Sequence, residues 1–153
     1  MAYLLAKKGL QELEPYRVKR AIFIAAGFGS RLVPITLNTP KPLVRVKGVR
    51  IIDTLLDAVI AAGIEEIIIV RGYLAEQFDQ LKYKYPMVKF VENPLYNEAN
   101  NISSVMCIRY LLSNAYILEA DLLLLGHVVK LCEKLSAIVA PFSPTRSAGT
   151  VTV

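Results

Sequence analysis

The sequence predicts an α/β fold in which helices cover both faces of a mostly parallel sheet. Three observations carry this. Ala21–Ala26 and Ile67–Val70 are continuous apolar runs rather than alternating ones, as in strands buried on both faces. Ile51, Leu55, Val59 and Ala62 lie between them at helical spacing. The order along the chain is strand, helix, strand, helix, strand, helix, strand, and that alternation implies parallel strands joined by crossovers.

Each element has a local reason. Lys7–Arg20 reads as an amphipathic lead segment broken at Glu14-Pro15, because proline has no N–H to donate and disfavours helix in the residue before it. Ala21–Ala26 is the first strand, ended by Gly27, and Gly27–Arg31 is a tight loop. Two prolines stiffen the loop Asn38–Pro42. Leu43–Val46 alternates like a short strand before a turn at Lys47-Gly48. The helix over Ile51–Ala62 stops at Gly63, a residue suited to the position after a helix. Ile67–Val70 is the second strand, and Arg71-Gly72-Tyr73 closes it. A helix is expected over Ala75–Lys84, stopped by Pro86, then a third strand at Val88–Val91. A polar loop runs from Asn93 to Asn101, a helix over Ile102–Leu112, and a fourth strand over Tyr116–Ala120, ending at Asp121. Ligands of such sheets bind beyond the carboxyl ends of the strands. That selects Gly27–Arg31, Arg71–Tyr73, Asn93–Asn101 and Asp121.

Composition narrows the function classes. The 153 residues are 54% hydrophobic and 20% charged, which suits one domain with a real core and excludes intrinsic disorder. No apolar run approaches the roughly 18 residues a spanning helix needs, so membrane insertion is not expected. The net charge of +5 suits an anionic ligand or a solvated basic surface equally. Basic blocks occur only at Lys7-Lys8 and Arg17–Arg20, too few to expect nucleic-acid binding. Cys107 and Cys132 lack metal-ligand spacing, and a reducing, cytoplasmic setting is the default. His127 is the lone histidine, leaving little for a nucleophile–base pair.

Ala25-Ala26-Gly27-Phe28-Gly29-Ser30-Arg31-Leu32 is the most informative stretch. A Gly-x-Gly after a strand lets backbone N–H groups approach an oxyanion; it also serves as a plain tight turn. A dinucleotide fingerprint would place a third glycine where Leu32 stands, and a Walker loop would need Gly-Lys-Ser/Thr. Arg31 and Lys41 add two cations able to clamp a triphosphate, although each alone also reads as a surface charge. Pro40 and Pro42 stiffen the backbone around Lys41.

The glycine loop followed by Leu37-Asn38-Thr39-Pro40-Lys41-Pro42-Leu43 resembles the signature of the nucleotidyltransferases that make nucleoside-diphosphate sugars and alcohols. The likeness covers about residues 21–125. Arg71-Gly72-Tyr73, Glu92-Asn93-Pro94, Asn100-Asn101-Ile102-Ser103-Ser104 and Glu119-Ala120-Asp121 look most like the bacterial CTP:phosphocholine cytidylyltransferases. The resemblance implies a Rossmann-like three-layer α/β/α nucleotidyltransferase fold and Mg²⁺-dependent transfer of CMP from CTP to phosphocholine, releasing pyrophosphate. It implies that Gly27, Gly29, Ser30 and Arg31 hold the triphosphate and that Lys41 reaches the α-phosphate or the leaving pyrophosphate, with Arg31 and Lys41 the catalytic pair. Asn100, Asn101 and Ser103 would contact base and ribose, or cap a helix. Ala26 would face the base through its backbone, and Tyr73 would border the pocket or simply pack. Asp121 would be the Mg²⁺ ligand, or a cap.

Choline needs an aromatic cage with carboxylates nearby. Tryptophan is absent, and the spacing of Tyr96, Tyr110 and Tyr116 forms no cage. In the family that cage and a second acidic metal ligand come from the later half of the domain. The likeness stops near Leu125. A tail over residues 126–153, with one helix over Val128–Ala140, is unrecognised and is expected to reflect truncation. The fold is then expected to be incomplete at its C-terminus, with an exposed sheet edge that invites a homo-oligomer. Residues 1–20 hint at the close of a winged-helix module. Two other functions stay open: a sugar-1-phosphate nucleotidyltransferase using UTP or dTTP, and a non-catalytic nucleotide-binding module.

Overall fold

The computed structural model describes residues 9, 11, 12, 14–99 and 101–123. The expected tail over 126–153, its helix and Asn100 therefore lie outside the described residues, as do Lys7, Lys8, Leu10 and Leu13 of the lead segment. Of that segment, Glu14–Tyr16 forms a short 3₁₀ turn at the expected break.

Strand β1 (Arg20–Ala25) is followed by a small hairpin of β2 (Arg45–Val46) and β3 (Val49–Arg50). Lys47 and Gly48, both with left-handed φ, make its two-residue turn. Helix α1 (Ile51–Ala61) leads through Gly63, with φ of +79°, into β4 (Glu66–Arg71). After it come α2 (Leu81–Lys84), β5 (Val88–Glu92), α3 (Asn101–Cys107) and β6 (Ala115–Glu119). The four longer strands form one parallel sheet in the order β5-β4-β1-β6. The α/β class and the parallel pairing agree with the expectation.

Apart from Arg20, Glu66 and Arg71 at their ends, the two central strands are apolar because both of their faces are covered. On one face Ala21, Phe23, Ala25, Ile67 and Ile69 pack against Ile52, Leu55, Leu56 and Val59 of α1 and against Phe78, Leu81 and Tyr85. On the other, Ile22, Ile24, Ile68 and Val70 pack against Ile108, Leu111 and Leu112. Strand β6 pairs only with β1 among the described residues, and its Ile117 is half exposed.

Three segments differ from the expected elements, each through its packing. The helix expected over 75–84 is a 3₁₀ stretch, Ala75–Gln80, running into α2. A 3₁₀ turn stacks residues three apart, and Phe78 and Leu81, both fully buried, are three apart. The helix expected over 102–112 starts at Asn101 and ends at Cys107, where Ile108 leaves helical geometry and a 3₁₀ turn, Arg109–Leu111, follows. That turn brings Ile108 and Leu111, again three apart, onto the sheet. The strand expected at 43–46 begins only at Arg45, because Lys41–Leu43 is a 3₁₀ turn that buries Pro42 and Leu43.

Two buried or half-buried cations fasten the layers. Arg50, ahead of α1, donates to both carboxylate oxygens of Asp53 at 3.0 Å and to Gln80 Oε1 at 3.1 Å. Arg71 ends β4, donating to Glu92 at 2.7 Å and Asp79 at 2.6 Å, with its guanidinium 4.1 Å from the Phe90 ring centroid. Burial works against the Arg71 charge, but the bonds to Asp79 and Glu92 outweigh it and raise the guanidinium pKa above its ordinary value.

Candidate functional site

The register of the sheet builds the site. Ala25 pairs with Arg71 and Arg71 with Glu92, while Ile24 pairs with Glu119. One residue past those pairings the chain presents Ala26, Gly72 and Asn93, and two residues past Glu119 it presents Asp121, so that four adjacent carboxyl ends share one row. The ladder continues for that step: Tyr73 N–H donates to Ala26 O, Asn93 N–H to Arg71 O and Ala120 N–H to Ile24 O.

A cleft of about 400 Å³ opens above this row. Ala26, Gly27, Phe28, Gly29 and Ser30 line one side; Asn93, Tyr96, Ala99, Asn101, Ser103 and Ser104 line the other. A smaller recess of about 90 Å³ adjoins it, bounded by Lys41, Pro42, Glu119 and Asp121. Gly27, Gly29 and Asn101 border both spaces.

The two glycines of the loop differ in cause. Gly29 has φ of +71°, and a Cβ there would lie 3.2 Å from both Lys41 Cβ and Thr36 Cγ2. Its carbonyl accepts from Thr36 Oγ1 at 3.0 Å. Fold geometry thus requires glycine at 29. Gly27 has no left-handed φ, and a Cβ there would meet nothing within 4 Å. The fold makes no such demand at 27, where the backbone is exposed at the junction of cleft and recess.

The structure unites most of the residues singled out in the sequence. Ala26, Gly27, Gly29, Ser30, Asn101 and Ser103 line the cleft, and Lys41 and Asp121 line the recess. Lys41 Nζ donates to Asp121 Oδ2, closing an ion pair across 80 residues of chain. Asn101 Nδ2 donates to Glu119 Oε1 at 3.0 Å. Two residues stand outside this lining. Arg31 is exposed on the 3₁₀ turn Ser30–Leu32 and borders neither space. Tyr73 lies behind Phe28, ring edge to face at a centroid distance of 4.6 Å, while its hydroxyl donates to Leu37 O at 2.9 Å. Tyr73 ties the glycine loop to the Pro-rich loop instead of lining the cleft.

Sequence reasoning passed over Asn93 and Tyr96 as site residues. Asn93 is buried, and its amide Nδ2 donates to Ser103 Oγ at 2.9 Å and Ser104 Oγ at 3.0 Å. Its Oδ1 accepts from Leu95 N–H at 3.0 Å. One side chain therefore joins the end of β5, the following loop and the first turns of α3. The signal was a polar residue ending an apolar strand within Glu92-Asn93-Pro94. Tyr96 falls within the selected loop Asn93–Asn101 but its spacing points to no role; the structure puts it on the cleft wall, 6.3 Å from the Tyr73 ring.

A parallel sheet with a glycine loop after its first strand, a cation loop and a carboxylate just past the last described strand places the chain in the class of open α/β domains with a site at the carboxyl ends of the strands. The nucleotidyl transferase family model matches residues 20–153, and the chain belongs to that family. Its similar curated proteins include several cytidylyltransferases, with mannose-1-phosphate guanylyltransferases among the others. It is 47% identical over 106 residues to the 2-aminoethylphosphonate cytidylyltransferase of Lancefieldella rimae, covering 68% of this chain and 43% of that protein. It is 45% identical over 102 residues to the choline-phosphate cytidylyltransferase of Streptococcus pneumoniae, covering 67% and 44%. The solved CTP:phosphocholine cytidylyltransferase from Streptococcus pneumoniae superposes with a TM-score of 0.65 at 47% identity, over 69% of this chain and 45% of that one. UDP-glucose pyrophosphorylase with UDP-glucose, at 20% identity and a TM-score of 0.62, shares the fold over 79% and 53%. The chain spans less than half the length of the curated relatives it matches. Among the described residues no helix is long and apolar enough to cross a membrane.

Proposed function

We propose that the chain provides the nucleotide half of a cytidylyltransferase, which transfers CMP from CTP to a phosphate-bearing acceptor, phosphocholine foremost. The observation that carries this is the joining of the glycine-loop cleft to the recess holding Lys41 and Asp121. Relatives named as cytidylyltransferases at 45–47% identity support the base and the reaction class. The choice of acceptor rests on the choline-phosphate relative; the 2-aminoethylphosphonate relative makes a phosphonate the rival.

In this reaction an acceptor phosphate oxygen attacks the α-phosphorus of CTP in line. The new P–O bond forms as the bond to the bridging oxygen breaks, and pyrophosphate carries away the charge. Enzyme and substrate form no covalent bond, so the protein's part is positioning and charge stabilisation. The backbone at Gly27 and Gly29 lets phosphate oxygens come close. Asn101, Ser103 and Ser104 supply amide and hydroxyl groups suited to the base and sugar. Lys41 supplies a cation beside the breaking bond. Arg31 borders neither space, so from its exposed place on the adjoining turn it would meet only the outer phosphates, from solvent.

Mg²⁺ fits the residues present. It favours oxygen donors and takes one or two protein carboxylates together with substrate phosphates and water. Asp121 would hold it, and Glu119 borders the same recess. Bound there, the ion would offset phosphate charge.

Calorimetry with CTP, UTP and dTTP, followed by a product assay with phosphocholine and 2-aminoethylphosphonate, tests the proposal. Selective binding of CTP and formation of a CMP conjugate is the expected result. Preference for UTP or dTTP with a sugar 1-phosphate would replace it with a sugar-nucleotide activity, and binding without product with a non-catalytic module.

A further inference from the structure

Gly72 follows β4 and has no left-handed φ, so its backbone conformation is open to any residue. What reserves the position for glycine is Tyr96. A Cβ on residue 72 would lie 2.6 Å from Tyr96 Cβ, 2.8 Å from Cγ and 2.9 Å from Cδ1, well inside contact distance. These are the atoms at the root of the tyrosine, which cannot move aside without moving the loop that bears them. That loop is held at its start, where Asn93 Oδ1 accepts from Leu95 N–H. The tyrosine therefore sits directly on the peptide after β4 and lines the cleft along with Phe28, with Tyr73 near both rings.

We infer that Gly72 is a positioning residue for nucleotide binding, acting through Tyr96, and that their contact sets the width of the cleft. The inference rests on the proposal that this cleft takes the nucleotide. The cleft offers a flat apolar ring on one wall and a row of amide and hydroxyl groups beside it, a combination matched to a nucleobase. Widening or tilting the ring wall would weaken nucleotide binding and leave the reacting groups, Lys41 and Asp121, in place.

Calorimetric titration of CTP with Mg²⁺ into the 153-residue chain tests this, comparing the parent with Gly72→Ala, Tyr96→Phe, Tyr96→Gly and the double variant Gly72→Ala/Tyr96→Gly. Gly72→Ala and Tyr96→Gly should each weaken CTP binding about tenfold, the scale of a lost base–aromatic contact. Tyr96→Phe should bind like the parent. The double variant should be no weaker than Tyr96→Gly alone, because both changes remove one contact. It should also regain thermal stability lost in Gly72→Ala, a readout that serves even if Gly72→Ala alone fails to fold. Folded Gly72→Ala binding like the parent would overturn the inference alone. Additive losses in the double variant, or no regained stability, would do the same. A parent chain that binds no CTP would overturn the functional proposal itself, and the inference with it.

Discussion

Lys41 and Asp121 meet in an ion pair although 80 residues separate them, because the Pro-rich loop after β1 folds back over the end of β6. Both side chains are about one-third exposed, so the pair itself contributes little stability, up to about 1 kcal/mol. Its importance lies in placement. Lys41→Met should lower the transfer rate about a hundredfold, the usual loss when one group stabilising transition-state charge is removed. The melting temperature should barely move. Steady-state pyrophosphate release and a melting curve on the same preparation check both halves of this.

The glycines of the signature loop should respond in opposite ways. Gly29→Ala forces a side chain into left-handed backbone and against Lys41 and Thr36, so it should cost at least about 1 kcal/mol of stability. Gly27→Ala meets no neighbour and should leave stability unchanged, yet under the proposed function it places a methyl group in the path of the triphosphate and should weaken CTP binding. Urea unfolding paired with CTP titration separates the two effects.

Asn93 should matter for both stability and binding. Asn93→Ala removes the amide that bridges two serine hydroxyls and accepts from Leu95 N–H in a buried setting. A loss of about 1–3 kcal/mol is expected, since buried polar groups are left poorly matched. CTP affinity should fall with it, because Ser103 and Ser104 line the cleft.

Arg50 and Asp53 form the most buried ion pair among the described residues. Asp53→Ala strands a buried guanidinium, to which Gln80 offers only a neutral acceptor. Breaking a buried pair from one side costs about 3 kcal/mol. Urea denaturation should show that loss, while a nucleotide titration on the remaining folded protein should match the parent, since the pair is remote from the cleft lining.

Acid should weaken the fold partly through Glu66. Hydrogen bonds from Lys89 and then Arg20 hold its carboxyl pKa below the ordinary 4.5. A depressed carboxylate pKa stabilises the fold above the unfolded value, and that contribution is lost as pH falls through the folded one. Glu66→Gln should therefore lose stability at neutral pH by up to about 1 kcal/mol, given the partial exposure of the pair. Below pH 4.5 the difference from the parent should shrink. Urea midpoints at the two pH values give the comparison.

The sequence by itself determined the four strands of the parallel sheet, the crossovers between them and the place of the glycine loop after the first strand. These are local matters. An apolar run such as Ala21–Ala26 must be buried on both sides, Gly63 must end a helix, and a glycine loop after the first strand sits where such sheets bind ligands. Helix type was less legible at Ala75–Gln80 and Arg109–Leu111, because the sheet selects residues three apart there and overrides the helical pattern. Tertiary structure alone decided which distant residues meet. The strand register sets Ala26, Gly72, Asn93 and Asp121 in one row. Tyr96 then rests on Gly72, Asn93 grips α3, and Lys41 reaches Asp121, while Arg31 and Tyr73 stay off the cleft lining. The physical reason is that a sequence pattern shows how each residue relates to its near neighbours. Contacts between loops are fixed only when separate strands align and their side chains compete for the same space.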